Sequence, residues 1–485
     1  LAAAFAALVF AVHPLRVEPV AWASARGDVL AGFFVLLAIL AYVKAAAESA
    51  GPRYGRWIAA AAVFYALALL GKGAALTLPL GLIILDVYPL RRFGSRRVWV
   101  EKLPFFALAL VAGLVAVYGK YYGGLIYGLT DYTPAQRLAL SAYGLIFYLW
   151  KTIWPSGLAP LYQLPHAVGF SEPAFLFSAL AAAALTILLF ALRRRWPWAL
   201  AAWAWHGVML LPTLGLLQNG PQIAADRYDY LAAPAAALLA GAAALYLSRR
   251  SHAIFGPAAT VAALLAVFTW AQAALWRDPV ALWSRAVAYN REAHLAHQYL
   301  GTALLAAGNV EQALDEFDIS KRIKPDYASA YLSIAFVLGQ LGKTDGAIEN
   351  YRIGVRLFPG SAAGHYNLAN QLFKRGDKDA AIEEYRAALR LDPRNASAHN
   401  NLGFLLAAKG EVDEPLAHFT AALQLNPRHV TAYYNMGMLM LRTGQPDRAA
   451  DFFSEALRLS PGAPDLQRAL EVAQARRTTT AGDKN

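Results

Sequence analysis

The chain has 485 residues, of which 58% are apolar, and its net charge is +12. This apolar fraction exceeds that of ordinary soluble domains, so the composition favours a membrane protein of two or three domains. Cysteine is absent, which excludes disulfide bonds and thiolate metal sites. Because the chain begins at Leu1, without methionine and inside an apolar run, we expect it to be a fragment.

The basic excess belongs to one half of the chain. Up to Trp276 there are 20 Lys and Arg against 9 Asp and Glu, and the remainder has 24 against 23. In an apolar half, Lys and Arg report membrane topology, because they are retained in cytoplasmic loops. The net charge is therefore no argument for a nucleic-acid partner, and none is predicted.

Residues 1–276 are predicted to form a polytopic membrane domain. Apolar runs near the length of a tilted membrane-spanning helix recur at 1–12, 29–43, 57–71, 73–90, 103–118, 138–154, 173–192, 197–217, 231–248 and 253–276. Four basic clusters separate them, and all four are expected to be cytoplasmic. The clusters are Lys44, Arg53 and Arg56; Arg91, Arg92, Arg96, Arg97 and Lys102; Arg193, Arg194 and Arg195; and Arg249 and Arg250.

The four basic clusters all lie on one side of the membrane only if one apolar run between Lys102 and Arg193 does not cross the bilayer. The aromatic run at 137–154 carries Arg137 and Lys151 near its ends and is predicted to be an interfacial helix, which leaves about nine spanning helices. With that helix on the outer surface, the predicted outer side of the membrane receives residues 13–28, Lys72, residues 119–173, residues 218–229 and everything after Trp276. The alternative is that every run spans and the charge rule is broken.

The predicted outer face collects charges from distant segments, which suggests a site for a charged lipid head group. Its members are His13, Arg16, Glu18, Arg26, Asp28, Lys72, Asp131, Asp226, Arg227 and Asp229. Arg26, Lys72 and Arg227 are the predicted phosphate ligands. His13, Arg16 and Tyr228 are predicted to support them.

Three carboxylates are candidates for the base that orients or deprotonates an acceptor hydroxyl, namely Glu18, Asp28 and Asp226. They leave binding of a divalent cation open, although no metal site and no required cofactor is predicted. The alternative is structural. Arg26 with Asp28, and Asp226 with Arg227, would be ion pairs that only fix helix ends.

From His294 the sequence repeats every 34 residues, the period of tetratricopeptide repeats. Small residues at position 8 let paired helices approach, Gly at position 15 ends the first helix, and Pro at position 32 ends the second. Position 20 is also small except for Pro415, which falls in a first helical turn, where proline is tolerated. The five predicted repeats are 294–327, 328–361, 362–395, 396–429 and 430–463.

The segments that flank the repeats complete the predicted domain organisation. Residues 277–293 resemble half a repeat and are expected to link the repeats to the last membrane helix. Residues 464–476 are predicted to be a capping helix, which such arrays need for solubility. The polar tail 477–485 is predicted to be disordered.

Position 6 of the repeats carries Asn367, Asn401 and Asn435. The first helix of each repeat lines the concave groove, so these amides are predicted to hydrogen-bond the main chain of an extended peptide. Asparagine is a poor helix former, so its presence at the same position in three repeats indicates a specific role. The alternative is that the amides join neighbouring repeats or face water.

Four segments together resemble the transmembrane-and-TPR-containing protein O-mannosyltransferases and their bacterial relatives. They are HPLRVEPVAWASARGDVLA at 13–31, GKGAALTLPLGLIILDVYPL at 71–90, GLLQNGPQIAADRYDYL at 215–231 and TWAQAALWRDPVALWSRAV at 269–287, followed by the repeats. The resemblance implies an all-α architecture, in which a multi-pass domain of the GT-C fold precedes a tetratricopeptide solenoid. It also implies transfer of a sugar from a polyprenyl-phosphate donor to a protein hydroxyl on the outer side.

The resemblance also assigns site residues. It implies a catalytic acid in an outer loop that is expected to lie upstream of Leu1, so the fragment is expected to lack it. His13, Glu18, Arg26 and Asp28 resemble the next outer loop of the family. Asp226, Arg227 and Tyr228 resemble a later outer loop.

The sequence therefore predicts a multi-pass inner-membrane glycosyltransferase that uses mannose or a similar sugar. Membrane lipid, the polyprenyl-phosphate donor and acceptor proteins are the expected partners, with the repeats on the outer side binding the acceptor. The alternative is a non-catalytic, membrane-anchored repeat scaffold that recruits proteins for envelope assembly.

Overall fold

The structure, a computed structural model, describes residues 2–22, 25–48, 51–122, 132–165, 167–216, 222–250 and 254–482. Within them the chain is almost entirely helical, which confirms the predicted all-α class. The chain divides into two compact units after Ala296. The predicted linker helix groups with the first unit, because Tyr289 packs edge-on against Tyr162, with the ring centroids 5.0 Å apart.

The helices of the first unit are α1 Ala2–Ala11, α2 Val17–Ala21, α3 Arg26–Ala47, α4 Pro52–Gly71, α5 Leu78–Val87, α6 Arg96–Tyr122, α7 Pro134–Ile153, α8 Pro173–Ala191, α9 Pro197–Leu210, α10 Ala233–Ser248, α11 Phe255–Leu275 and α12 Pro279–Tyr289. Short 3₁₀ turns lie at Pro14–Arg16, Gly73–Thr77, Leu211–Thr213 and Asp226–Tyr230. Strands β1 Tyr162–Gln163 and β2 Gln222–Ala224 form a small antiparallel ribbon with Tyr162 opposite Ala224.

Among the described residues, α3, α4, α6, α8 and α11 are long and apolar enough to cross a membrane. A sixth span results if α1 and the segment Pro14–Ala21, which meet at a 60° bend, form one broken helix. The sequence predicts about nine spans. The difference arises because α5, α9 and α10 contain only 10, 14 and 16 residues. At 1.5 Å per residue they are shorter than a hydrocarbon core of roughly 30 Å.

Helix α7 covers the run predicted to be interfacial, and it is not among the candidate spans. It begins at Thr133, whose hydroxyl accepts the Gln136 N–H in a capping box. Its buried face includes Leu140, Phe147 and Lys151, while Trp150 and Ile153 are exposed. The helix is therefore amphipathic, as an interfacial helix requires, and its interfacial position remains a prediction.

The first two basic clusters lie at one end of α3, α4, α5 and α6, which we call the basic end. Tyr42 donates to Asp86 at 2.7 Å, and Tyr54 donates to Glu101 at 2.6 Å. Arg92 bridges these two carboxylates at 2.7 Å to each, and Lys102 is buried against Asp86. Since a buried charge needs a partner, this network fixes the helix ends to one another.

The boundary between the units falls within α13 His294–Ala306. The helices that follow it are α14 Val310–Ile323, α15 Ala328–Gln340, α16 Thr344–Leu357, α17 Ala362–Arg375, α18 Lys378–Leu391, α19 Ala396–Ala408, α20 Asp413–Leu425, α21 Val430–Arg442, α22 Pro446–Leu459 and α23 Pro464–Gly482. The glycines at position 15 lie just after the first helix of each pair and have φ of 72° to 99°. This left-handed conformation explains why glycine recurs there.

Helix α23 is longer than the predicted cap. The sequence predicts disorder from residue 477, whereas the helix continues to Gly482. Arg477 pairs with Asp447 at 2.7 Å, and Ala473 is buried against the preceding pair of helices. These contacts pack the C-terminal part of α23 against the preceding repeat, and the polar composition of the tail does not predict them. Residues 483–485 lie outside the described residues.

Position 8 of each repeat is matched to the aromatic residue at position 24. A Cβ added to Gly301, Gly403 or Gly437 would lie only 2.6, 2.9 or 2.6 Å from the nearest ring atom of the phenylalanine at that position. The two repeats with alanine at position 8 carry Tyr351 and Tyr385 instead. The small residue thus sets how closely the paired helices approach.

We predict that Gly437→Ala destabilises the last repeat by about 1 to 3 kcal/mol, because the added methyl overpacks the Phe453 ring. Hydrogen exchange of α21 and α22 in the full chain measures the loss. The matched control is Gly346→Ala, whose Cβ would meet only the Leu338 side chain at 3.2 Å. Equal protection in the two variants would contradict the prediction.

Candidate functional site

Two of the predicted outer loops meet through crossed ion pairs. Arg16 Nη2 lies 2.9 Å from Asp229 Oδ2, and the Arg227 guanidinium pairs with the Glu18 carboxylate. The Arg227 backbone N–H also donates to Glu18 Oε2 at 3.0 Å. Each loop therefore supplies one cation and one carboxylate to the other. The pairing predicted by the structural alternative, Arg26 with Asp28 and Asp226 with Arg227, is replaced by these longer-range pairs.

The Arg16–Asp229 pair is deeply buried, with side-chain exposures of 6% and 0%. The Arg16 guanidinium also lies over the rings of Phe10 and Tyr230, at 5.0 and 5.5 Å from their centroids. Its Nε and Nη1 atoms, and Asp229 Oδ1, have no hydrogen-bond partner among the described residues. This pair is too enclosed to meet a ligand directly, so it positions the loops.

A third ion pair joins the start of α3 to the end of α4. Lys72 Nζ lies 3.0 Å from Asp28 Oδ2, and the lysine side chain is 36% exposed. A Cβ on Gly27 would lie 2.7 Å from the Gly71 carbonyl oxygen, so the two backbones approach at a distance that only glycine permits. This close approach brings Lys72 within reach of Asp28.

The accessible part of the site is cationic and aromatic, and we call it the cationic rim: Trp22, Arg26, Lys72 and Arg227. Arg26 is exposed at the first turn of α3 and has no ion pair among the described residues. The Arg227 guanidinium lies 4.8 Å from the centroid of the Trp22 ring. Of the predicted phosphate ligands, Arg26 alone is unpaired in the described structure, since Lys72 and Arg227 hold carboxylates.

Asp226 lies behind the rim and is 2% exposed. The Tyr162 hydroxyl donates to its Oδ1 at 2.8 Å, a contact made possible because the ribbon sets Tyr162 opposite Ala224. Burial raises the pKa of Asp226 well above its usual value, and the nearby Glu18 carboxylate adds to the shift. Asp226 is therefore a carboxyl group that retains its proton more readily than an exposed one.

Lys151, which the sequence predicts only as a charge near the end of the interfacial helix, is buried in this region. Its ammonium donates to the carbonyls of Ser156 and Gly157, at 2.5 and 3.3 Å. It also lies within 6 Å of the ring centroids of Phe147, Tyr162 and Tyr289. Burial lowers its pKa. The one sequence signal is Phe147 four residues earlier on an amphipathic helix, which is too common to single out a site.

Two other predicted members, His13 and Tyr228, make hydrogen bonds within the first unit. His13 Nε2 bonds the Thr152 carbonyl at 3.0 Å, and its Nδ1 accepts the Leu15 N–H at 3.3 Å. Tyr228 accepts a hydrogen bond from Gln222 at 2.5 Å. Asp131 lies outside the described residues. No group of three or more metal-ligating side chains converges within the described part of the chain.

The asparagines at position 6 differ in environment. Asn435 donates to Asn400 at 2.9 Å, and Asn401 donates to Asn370 at 3.3 Å, so both amides join neighbouring repeats. Asn367 is half-buried and makes no side-chain hydrogen bond within the described residues. Of the three, Asn367 is the amide that remains available to a ligand.

Tetratricopeptide family models match three parts of the chain: two described as "Tetratricopeptide repeat", at residues 271–328 and 394–461, and one described as "TPR repeat", at 369–410. The second unit is a tetratricopeptide-repeat domain. The first match begins at residue 271, so it includes the end of the first unit as well as the first repeat. The three matches together leave residues 329–368 and most of the first unit uncovered.

The protein O-mannosyl-transferase Tmtc3 of Drosophila melanogaster is 25% identical to the chain over 399 residues. The match covers 69% of this chain, and the chain spans 42% of the length of that relative. The predicted resemblance to O-mannosyltransferases with tetratricopeptide repeats is thus confirmed as a distant similarity. It extends well beyond the repeats, because the second unit alone is shorter than the matched region.

Two solved structures are similar to part of the chain. YrrB, described as "a TPR protein with an unusual peptide-binding site", is 22% identical, covers 40% of this chain and 97% of its own, and has a TM-score of 0.36. The protein TTC0263 of Thermus thermophilus, described as "a thermophilic TPR protein", is 26% identical, covers 38% of this chain and all of its own, and has a TM-score of 0.30.

We predict that Asp226→Asn makes stability less dependent on pH. Because the buried carboxyl has a raised pKa, the folded chain holds a proton that the unfolded chain releases. The free energy of unfolding therefore falls as the pH rises from about 4 towards the folded pKa. The asparagine side chain of the variant does not titrate in this range. The thermal midpoint of Asp226→Asn, measured relative to that of wild type, should therefore rise between about pH 5 and pH 8.

The control for this prediction is Asp326→Asn, which makes the same change at an exposed position in the repeat unit. Its difference from wild type should show no comparable trend with pH. A wild-type stability that rises with pH relative to Asp226→Asn would contradict the assignment of a raised pKa.

Proposed function

We propose that the protein transfers a sugar, mannose or a similar hexose, from a polyprenyl-phosphate donor to a protein hydroxyl at the cationic rim. The observation that carries the proposal is the exposed, unpaired Arg26 at the head of the apolar helix α3, in the same first turn as the Asp28 that pairs with Lys72. The similarity to an O-mannosyl-transferase supports the reaction class. The rim supplies positive charge where a phosphate would enter from the membrane.

The surface of α3 suits a lipid-linked donor. Leu30, Phe33, Leu36 and Leu40 are exposed along the helix, with exposures of 46% to 57%, and Arg26 precedes Leu30 by one helical turn. A polyprenyl chain that remains in the bilayer can lie against this apolar face while its phosphate reaches the rim. Arg26 would bind the phosphate through its guanidinium fork, and Lys72 as a point charge.

The Lys72–Asp28 ion pair suggests how the donor prepares the acceptor. A phosphate that binds Lys72 replaces Asp28 as its partner, which frees the Asp28 carboxylate. Asp28 is 6% exposed, against 2% for both Glu18 and Asp226, so it is the most accessible of the three candidate bases. Arg227 stays paired with Glu18, so it would act on the phosphate through its positive charge rather than through direct hydrogen bonds from its guanidinium group.

In the proposed transfer, the bond between the sugar anomeric carbon and the phosphate oxygen breaks, and the phosphate keeps the electron pair. The acceptor hydroxyl oxygen forms the new bond to that carbon, and its proton passes to Asp28, which the proposal puts in place of the upstream acid that the family resemblance implies. Arg26 and Lys72 stabilise the charge that develops on the leaving phosphate. The remaining contribution is orientation of the two substrates around an oxocarbenium-like transition state.

The proposed acceptor site is the groove of the tetratricopeptide domain. Asn367 offers an amide donor and acceptor that no described residue occupies. Such an amide can pair with the main chain of an extended peptide whatever its side chains. This would allow many acceptor sequences to bind, as a transferase acting on unfolded or extended protein segments requires.

A second candidate function is a membrane-anchored scaffold without catalysis. Its support is that Glu18 and Asp28 are ion-paired and that all three candidate bases are at least 94% buried. In that case the ion pairs only hold the loops, and the repeats alone recruit partners. Transfer of labelled mannose by the purified full chain distinguishes the two functions.

We predict that Arg26→Gln lowers sugar transfer at least tenfold and weakens donor binding, because one charge-assisted hydrogen bond is worth about 1.5 to 3 kcal/mol. The assay uses the full chain in nanodiscs, undecaprenyl-phosphate mannose and a Ser/Thr-rich peptide. Arg194→Gln, an exposed arginine in another loop, is the control and should transfer normally. Unchanged transfer in Arg26→Gln would remove Arg26 from the donor site.

We also predict that Asn367→Ala weakens binding of the Ser/Thr-rich peptide several-fold and leaves the stability of the repeats unchanged. Asn435→Ala should lower the free energy of unfolding of the repeats by about 1 to 3 kcal/mol, because the side-chain oxygen of the buried Asn400 loses its hydrogen-bond donor. Fluorescence anisotropy and hydrogen exchange measure the two effects. Peptide affinity equal to wild type in Asn367→Ala would contradict the groove assignment.

A further inference from the structure

A groove at the basic end of the first unit lies apart from the cationic rim. It is an open cavity of about 580 Å³ between α4 and α6, lined by Tyr54, Ile58, Arg96, Arg97, Val100, Glu101 and Pro104. The rim lies at the other end of α3 and α4, where Asp28 meets Lys72. The proposed sugar transfer therefore uses none of the groove residues.

The head of the groove is positively charged. Arg96 lines the groove, is exposed and has no ion pair among the described residues. Arg53 and Arg56 do not line the groove but are exposed on the first turns of α4, near the lining residue Tyr54 in sequence. The carboxylate in the groove, Glu101, is already neutralised by Arg92 at 2.7 Å and Arg97 at 3.2 Å. A ligand therefore meets an excess of guanidinium groups.

An aromatic contact holds one of these cations in place. The Arg97 guanidinium carbon lies 3.6 Å from the centroid of the Tyr54 ring, and the Tyr54 hydroxyl donates to Glu101. Stacking and the ion pair together fix this wall of the groove before any ligand binds. The guanidinium of the neighbouring Arg96, which is exposed, matches the oxygens of a phosphate group.

The lower wall of the groove is apolar and leads onto the surface of a candidate membrane span. Val100 and Leu103 are 57% and 63% exposed on α6, and Leu110 further along the same helix is 65% exposed. Charge at the head and exposed hydrocarbon below match the two ends of a phospholipid. A soluble phosphate compound would use only the charged part.

We propose that this groove binds an anionic phospholipid, with the head-group phosphate at Arg96 and an acyl chain along Val100 and Leu103. The lipid belongs to the leaflet that borders the basic clusters, because basic pockets between membrane helices attract anionic head groups. The bound lipid would join α4 to α6 from the outside, as the Tyr42–Asp86–Lys102 network joins the helix ends from within. The groove thus acts as a lipid-dependent clamp on the helix ends.

The test is native mass spectrometry of the full chain in detergent, titrated with dioctanoyl phosphatidylglycerol or dioctanoyl phosphatidylcholine. Wild type should retain phosphatidylglycerol at least several-fold more strongly. Arg96→Gln should lose most of this preference, and Val100→Trp should weaken retention by filling the groove wall. Both positions are exposed, so neither change disturbs the buried network.

Arg194→Gln removes the same charge from a different basic loop and should behave as wild type. Retention unchanged in both Arg96→Gln and Val100→Trp would overturn the proposal, as would an equal loss in Arg194→Gln, which would indicate general surface charge. Displacement of the lipid by equimolar inorganic phosphate would also overturn it, because the acyl chain would then add no affinity.

Discussion

The crossed ion pairs between Arg16 and Asp229 and between Glu18 and Arg227 are the interaction on which the candidate site depends. They join loops more than 200 residues apart in sequence and place Asp28, Trp22 and the 226–230 turn side by side. Removing one partner from a buried pair leaves an uncompensated charge, at a cost of about 3 to 5 kcal/mol. Each loop contributes one positively and one negatively charged side chain to these pairs. The charges of one loop are therefore neutralised only when the other loop is in place.

The first unit uses the same principle at both ends of its helices. At one end, Lys72 pairs with Asp28 while its own side chain is 36% exposed. At the other, Asp86, Glu101, Arg92 and Lys102 form a closed network with two tyrosines. The two ends therefore differ in how far their ion pairs are exposed. The proposed sugar transfer uses the first end, and the network at the second end joins the helices to one another.

The tetratricopeptide domain divides its recurring positions between packing and recognition. The glycines at position 8 admit phenylalanine rings at van der Waals distance, and two of the three asparagines at position 6 connect adjacent repeats. Only Asn367 keeps its amide available within the described residues. The same position can thus hold neighbouring repeats together in some repeats and, in another repeat, present an asparagine side chain that a ligand can reach.

The sequence by itself determined the all-α class, the 34-residue period and the presence of a charged segment before α3, since periodicity and hydropathy are local properties. It could not identify the partners of those charges: the nearest neighbours in sequence, Arg26 with Asp28 and Asp226 with Arg227, do not pair. Tertiary structure decided that Lys72 holds Asp28, that Tyr162 reaches Asp226, and that α5, α9 and α10 are short. Ion pairing and burial depend on which distant segments meet, and that is settled only when the helices pack.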